Sequence, residues 1–307
     1  MHRLRCLFLF ILTVVLAVGL VSAHPQLTLS MGAGPSPYPP ADWPVDARST
    51  SGPVPPAHIQ HLELEAPAAH DQVLLSSVTA YIWHNGCGPT AAGMVIGYWD
   101  ANGYGDLVPG DTQSQTPQVD AMISSPGNYA DYCQPIDSYP DLIPDKSELP
   151  FGDEHANDSI ADLMKTSQSF HHNLWGWSRY SDMAPALEGY VALAAPHYTA
   201  SAQNRTWGRF TWEGYKTEID AGRPVVLLVD TDGNGHTDHF VTAMGYAEQG
   251  STLLYACRNT WDTGVHWYEF AQMQTGQPWG IYGATFFQID EPPGMVYTVF
   301  LPHVTGN

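Results

Sequence analysis

Positive charge is scarce in this sequence of 307 residues: 11 lysines and arginines face 31 aspartates and glutamates, a formal net charge of −20 with the histidines neutral. A surface of that sign repels phosphate backbones, which excludes nucleic acid as a partner class. Cysteine is scarce too, with four in the chain. No HExxH or CxxC spacing occurs, so Asp153, Glu154, His155 and the pair His171-His172 lack the pattern of a zinc site. Long apolar runs are absent except at the start. There CLFLFILTVVLAVGLV follows Arg3 and Arg5 and ends at Val21-Ser22-Ala23, a small-residue cleavage pattern. Residues 1–23 therefore read as a signal peptide. The expectation is an exported protein, secreted, periplasmic or held at the cell surface, that begins near His24. No later segment approaches the ~20 apolar residues of a bilayer span, so no membrane span is expected.

Residues 24–69 are rich in proline, alanine and serine (GAGPSPYPPADWPV, SGPVPPAH) and show no amphipathic period. They read as a linker or a loosely packed arm. The remaining segment, 70–307, is long enough for one substantial core and reads as one domain. Cys6 leaves with the signal peptide, and Cys87, Cys133 and Cys257 remain. Export favours disulfides, yet three is odd, so one thiol is left over. Spacing alone leaves the connectivity open. A Cys133–Cys257 bond is the favoured expectation, with Cys87 as the free thiol.

In YIWHNGCGPTAAGMVIGYWD, residues 81–100, Cys87 stands between two glycines. The run from Pro89 to about Trp99 is almost wholly apolar, with small residues on several sides, and predicts a helix buried all round. Pro89 suits the first turn, and Gly86 and Gly88 permit a tight entry. Cys87 thus falls at a helix N-terminus, where free N–H groups and the dipole favour a thiolate and can also stabilise an oxyanion.

A thiolate needs a base, and the base an orienting group. In GRPVVLLVDTDGNGHTDHFVTAMGY, residues 222–246, two β-branched apolar runs flank a Gly- and Asp-rich turn, which predicts a β-hairpin with His239 opening the second strand. A third strand, STLLYACRNTWDTG, ends at Asn259. Asn259 is the candidate orienting group, Asp262 is the alternative, and Trp261 is placed to shield the imidazole from water.

Taken together, GCGPTAAGMVIGYWD, DHFVTAMGY and RNTWD resemble the papain-like cysteine peptidases. The closer likeness is to the branch of the bacteriocin double-glycine leader peptidases (C39-like) and its exported bacterial relatives. The resemblance implies an α+β papain-like fold, a helical part packed on an antiparallel sheet, with Cys87 as nucleophile, His239 as general base and acid, and Asn259 orienting the imidazole. It also implies a peptide or protein substrate and no required cofactor. These peptidases usually carry a glutamine six residues before the cysteine as an oxyanion donor, and Tyr81 stands there instead. Tyr81, His84 and Asn85 are the side-chain candidates for that role.

The hairpin tip DTDGNGHTD carries Asp230, Asp232, Asn234 and Asp238 at alternate positions, like the first part of a calcium-binding loop. Its twelfth position is Val241, so the bidentate carboxylate is missing, and calcium is an optional ligand in this reading. The rival to the enzyme is a secreted binding or surface module on the same fold, with an inactive site and a calcium-stabilised tip.

Overall fold

The computed structural model describes residues 47–59, 63–134, 143–168 and 174–290, all within one compact unit. The expectations for the signal peptide and for His171-His172 lie outside the described residues. No helix among those described is long and apolar enough to cross a membrane.

The helices are α1 (Cys87–Ala101), α2 (Pro117–Ile123), α3 (Pro126–Tyr132), α4 (Ile160–Leu163), α5 (Tyr180–Ala194) and α6 (Trp212–Asp220). The strands are β1 (Gln72–Leu74), β2 (Thr199–Thr206), β3 (Val225–Asp230), β4 (His239–Gln249), β5 (Thr252–Arg258), β6 (His266–Glu269) and β7 (Gly280–Asp290). The strands form one antiparallel sheet in the order β2-β7-β3-β4-β5-β6, and short β1 adds to β4. Chain order and sheet order differ because β7 returns to insert between β2 and β3.

Every residue of β3 is buried, as expected of a central strand covered on both faces. Val226 and Leu228 join the core shared with α1 and α5, while Val225, Leu227 and Val229 join a second core with Tyr215 and Ile219 of α6. In β4, Phe240 and Met244 face the first core and Val241 and Ala243 the second. The period-2 alternation of a strand thus feeds two cores from one sheet.

Helix α1 is the axis of the first core. All its residues except Trp99 and Ala101 are buried, in line with its apolar sequence. Neighbours come close where it lacks side chains: a methyl at Gly97 would collide with the Tyr81 hydroxyl. Thr242 of β4 donates from its hydroxyl to the Ala91 carbonyl (2.9 Å), which ties the first turns of the helix to the strand that His239 opens. The fold is therefore α+β, with the cysteine helix laid against the sheet.

The expected Cys133–Cys257 disulfide does not form: no disulfide joins Cys87, Cys133 and Cys257 among the described residues, and all three are buried. Cys133 caps the C-terminus of α3 in the first core, whereas Cys257 lies in β5 and belongs to the second. Different cores hold the two thiols.

Candidate active site

The entry to α1 sets the position of Cys87. Gly86 is the N-cap residue, with φ +155°. The Thr90 hydroxyl donates to its carbonyl (2.7 Å) and accepts from the His84 N–H (2.9 Å), so the loop is tied to the first turn. Cys87 is fully buried. Its sulfur accepts from the backbone N–H of Phe240 at 3.4 Å, which joins the helix end to the start of β4. Burial pushes the thiol pKa up, against the lowering effect of the Phe240 N–H and of the Ser49 hydroxyl. That direction favours the neutral thiol over the thiolate.

His239 is likewise fully buried, and burial lowers its pKa to about 3, with the hydrogen bond to Asn259 opposing. Its Nε2 lies 2.6 Å from the Asn259 carbonyl oxygen. A carbonyl only accepts, so Nε2 carries the proton and Nδ1 is bare. Nδ1 faces the Ser51 hydroxyl at 2.5 Å, and the same oxygen lies 3.6 Å from Cys87 Sγ. A hydroxyl has one proton, and the bare ring nitrogen receives it. Trp261 stacks on the imidazole with centroids 3.7 Å apart and planes 10° from parallel.

The structure brings Cys87, His239 and Asn259 together, but Asn259 orients the ring through its backbone rather than its side chain. Its Oδ1 accepts from the N–H groups of Trp261 (2.9 Å) and Asp262 (3.2 Å), closing a tight turn. Thr260, inside that turn, holds φ +67°, a costly conformation for a β-branched residue. The turn aims two successive carbonyls, Asn259 at His239 and Thr260 at the Trp83 N–H (2.6 Å). Asp262, the alternative orienting group, pairs with His266 Nε2 (2.8 Å) and the Gly264 N–H. A sequence shows which side chain stands at a position and not which backbone oxygen will be aimed, so the carbonyl was beyond it. Asn259→Asp keeps the acceptor that closes the turn and should preserve the alignment of His239. Asn259→Ala frees two amides and should cost about 1–2 kcal/mol of stability together with roughly 10- to 100-fold in any activity of the site. Chemical denaturation and peptide hydrolysis measured on both variants check this.

Cys87 thus stands at a helix N-terminus and touches the amide of the second residue of a strand that begins with a histidine. The model of the Peptidase_C39 like family covers residues 71–285. The chain belongs to the Peptidase_C39 like family. That supports the cysteine peptidase class of hydrolases, whose substrates are peptides. No curated protein matches the chain.

In this Peptidase_C39 like chain the side-chain candidates for an oxyanion donor point elsewhere. The Tyr81 hydroxyl donates to the Thr112 carbonyl (2.6 Å) beside Gly97, ten residues and so roughly 15 Å along α1 from the thiol. Asn85 Nδ2 donates to Ser124 Oγ (3.0 Å), and His84 Nε2 lies 3.3 Å from the Ser124 carbonyl. His84 and Asn85 instead line a cavity of ≈ 490 Å³ with Asp120, Ser124 and Tyr129.

The hairpin tip spends its carboxylates on its own turn. Asp230 accepts from the N–H groups of Gly233 (2.8 Å) and Gly235 (2.6 Å), and Asp232 Oδ1 accepts from that of Asn234 (3.0 Å). Asp238 turns back to the N–H and hydroxyl of Thr231, and burial raises its pKa to about 7. A calcium ion at this tip would compete with those donors for the same oxygens.

Sequence reasoning missed Ser51. Residues 24–69 read as a linker or loose arm, yet Arg48, Ser49, Thr50 and Ser51 are buried. A Pro-rich composition hides this, because the segment is held by its backbone and carries no apolar period.

Proposed function

We propose that this protein is an exported cysteine peptidase that hydrolyses peptide bonds through a thioester on Cys87. The observation that carries the reading is the junction of α1 and β4, where Cys87 Sγ accepts the Phe240 N–H next to an imidazole whose Nδ1 is bare. With Ser51 displaced, the thiol proton passes to His239 Nδ1. The thiolate attacks the substrate carbonyl carbon, and the helix-end N–H of Cys87 supports the oxyanion. The C–N bond then breaks as Nδ1–H protonates the leaving amine, which leaves a thioester. Nδ1 next takes a proton from water, and the hydroxide displaces the sulfur, releasing the acid and restoring the thiol. Asn259 holds the ring through its carbonyl, and Trp261 keeps one face of it dry. These steps call on no cofactor. Transamidation or deamidation of glutamine would use the same residues, with an amine in place of water or an amide in place of the peptide.

A binding module with an inactive site is the second reading. The complete burial of Cys87 and His239 favours it, as does the placement of Tyr81 far from the thiol. A peptide library incubated with the chain from residue 24 separates the two. The peptidase yields cleaved products and a trapped acyl adduct on Cys87, whereas the module yields neither with the cleft open.

A further inference from the structure

The segment 47–52 crosses the cleft between the helical part and the sheet, and its backbone is bound on both sides. Toward the helical part, the Ala47 carbonyl accepts from the Tyr180 N–H (2.8 Å) and the Ser49 N–H donates to the Ser178 carbonyl (2.9 Å). Ser49 Oγ also accepts from the Ser178 N–H (3.2 Å). Toward the sheet, the N–H groups of Thr50 and Ser51 both donate to the Asp238 carbonyl, at 2.8 and 3.0 Å. Arg48 exchanges two hydrogen bonds with the Thr237 hydroxyl, N–H to Oγ1 at 3.1 Å and Oγ1 to the carbonyl at 2.9 Å. The Gly52 carbonyl accepts from Trp261 Nε1 (2.9 Å), the same indole that stacks on His239.

Nearly all of these bonds engage groups that any extended peptide possesses. The groove they define runs past the sulfur and ends on the tryptophan over the imidazole. At its centre the segment places a hydroxyl against both Nδ1 and Sγ. That hydroxyl fills the space where a scissile carbonyl would have to approach, and it uses the lone pair that must accept the thiol proton.

We infer that residues 47–52 are a tethered occupant of the peptide-binding groove, which holds the site closed until an extended peptide takes their place or the tether is cut. The inference rests on the peptidase reading for the meaning of the groove, and the experiment keeps the two apart. Val54, just beyond the segment, is 71% exposed and can take an inserted site for a sequence-specific protease. The full chain from residue 24 is folded first, cut there, and freed of its N-terminal piece by gel filtration. Two rates are measured before and after: iodoacetamide alkylation of Cys87, located by mass, and hydrolysis of a peptide library. A thiol exposed only when six or more hydrogen bonds break should react slowly in the uncut protein and at least about 100-fold faster after cutting. A synthetic peptide of residues 47–53, added back, should return the slow rate.

Faster alkylation without hydrolysis upholds the tethered occupant and removes the peptidase reading. Equal alkylation before and after cutting overturns the inference. So does full hydrolysis by the uncut chain, which leaves the peptidase reading standing. Should the cut protein lose its fold by circular dichroism, Thr50→Pro in the uncut chain decides, since it deletes one N–H donor to Asp238. A rise of about tenfold or more in alkylation upholds the inference, and an unchanged rate overturns it.

Discussion

Cys87→Ala, made in the chain with its arm released, is expected to lower peptide hydrolysis by about 10⁴-fold or more, and His239→Ala to lower it almost as far. The double variant should be no worse than the weaker single one, because thiol and imidazole act as a unit and removing either removes the thioester route. The geometry gives the reason. The Phe240 N–H holds the sulfur and the Asn259 carbonyl holds the ring, with the Thr260 hydroxyl a more distant partner of Nε2 at 3.4 Å. His239→Gln tests orientation apart from proton transfer: it can still fill the space under Trp261 but accepts no proton from the thiol. Hydrolysis that survives in Cys87→Ala would place the chemistry elsewhere in the molecule. The same variants read by alkylation carry further information, since Cys87 in His239→Ala should react only in the ordinary alkaline thiol range, near pH 8.5.

The parts of the fold that the sequence made legible are those in which residue type and period carry the structure. The buried helix after Cys87 follows from an unbroken run of small and apolar residues, and it spans Cys87–Ala101. The hairpin that ends at His239 follows from two β-branched runs around a glycine-rich turn, and β3 pairs with β4 antiparallel, Val229 opposite His239. What escaped was carried by backbone atoms. The Asn259 carbonyl and the Asp238 carbonyl that holds the arm are backbone groups whose aim no side chain announces, and the left-handed Thr260 runs against what a β-branched residue prefers. The missing disulfide has a related cause. Export and an odd count of thiols argue about chemistry, whereas the two cores on opposite faces of the sheet decide which sulfurs can meet.

The largest expected effect on stability follows from Gly86, the glycine that precedes Cys87. At Gly86, φ +155° with ψ 137° is a conformation that L side chains rarely adopt, and forcing one there costs roughly 1–3 kcal/mol. Space is the second obstacle. A methyl at this position would lie 2.9 Å from two carbons of the Pro89 ring and 3.0 Å from the Thr166 methyl. The ring is rigid and buried, so it yields only by shifting the first turn of α1, an overpacking that adds about 1–3 kcal/mol. Gly86→Ala should therefore lose about 2–6 kcal/mol in urea denaturation, a large share of the total stability of an ordinary domain. Gly110→Ala separates the two contributions. It has φ +94° but nothing within 4 Å of the added carbon, so it should show the backbone cost alone, about 1 kcal/mol. If both variants lose the same amount, the close contact with Pro89 contributes nothing, and the entry to α1 is more pliable than its packing implies. If Gly86→Ala loses several times more, the turn that sets Cys87 against Phe240 is held by sterics. The position of the thiol is then a property of the glycine and the proline on either side of it, as much as of the cysteine itself.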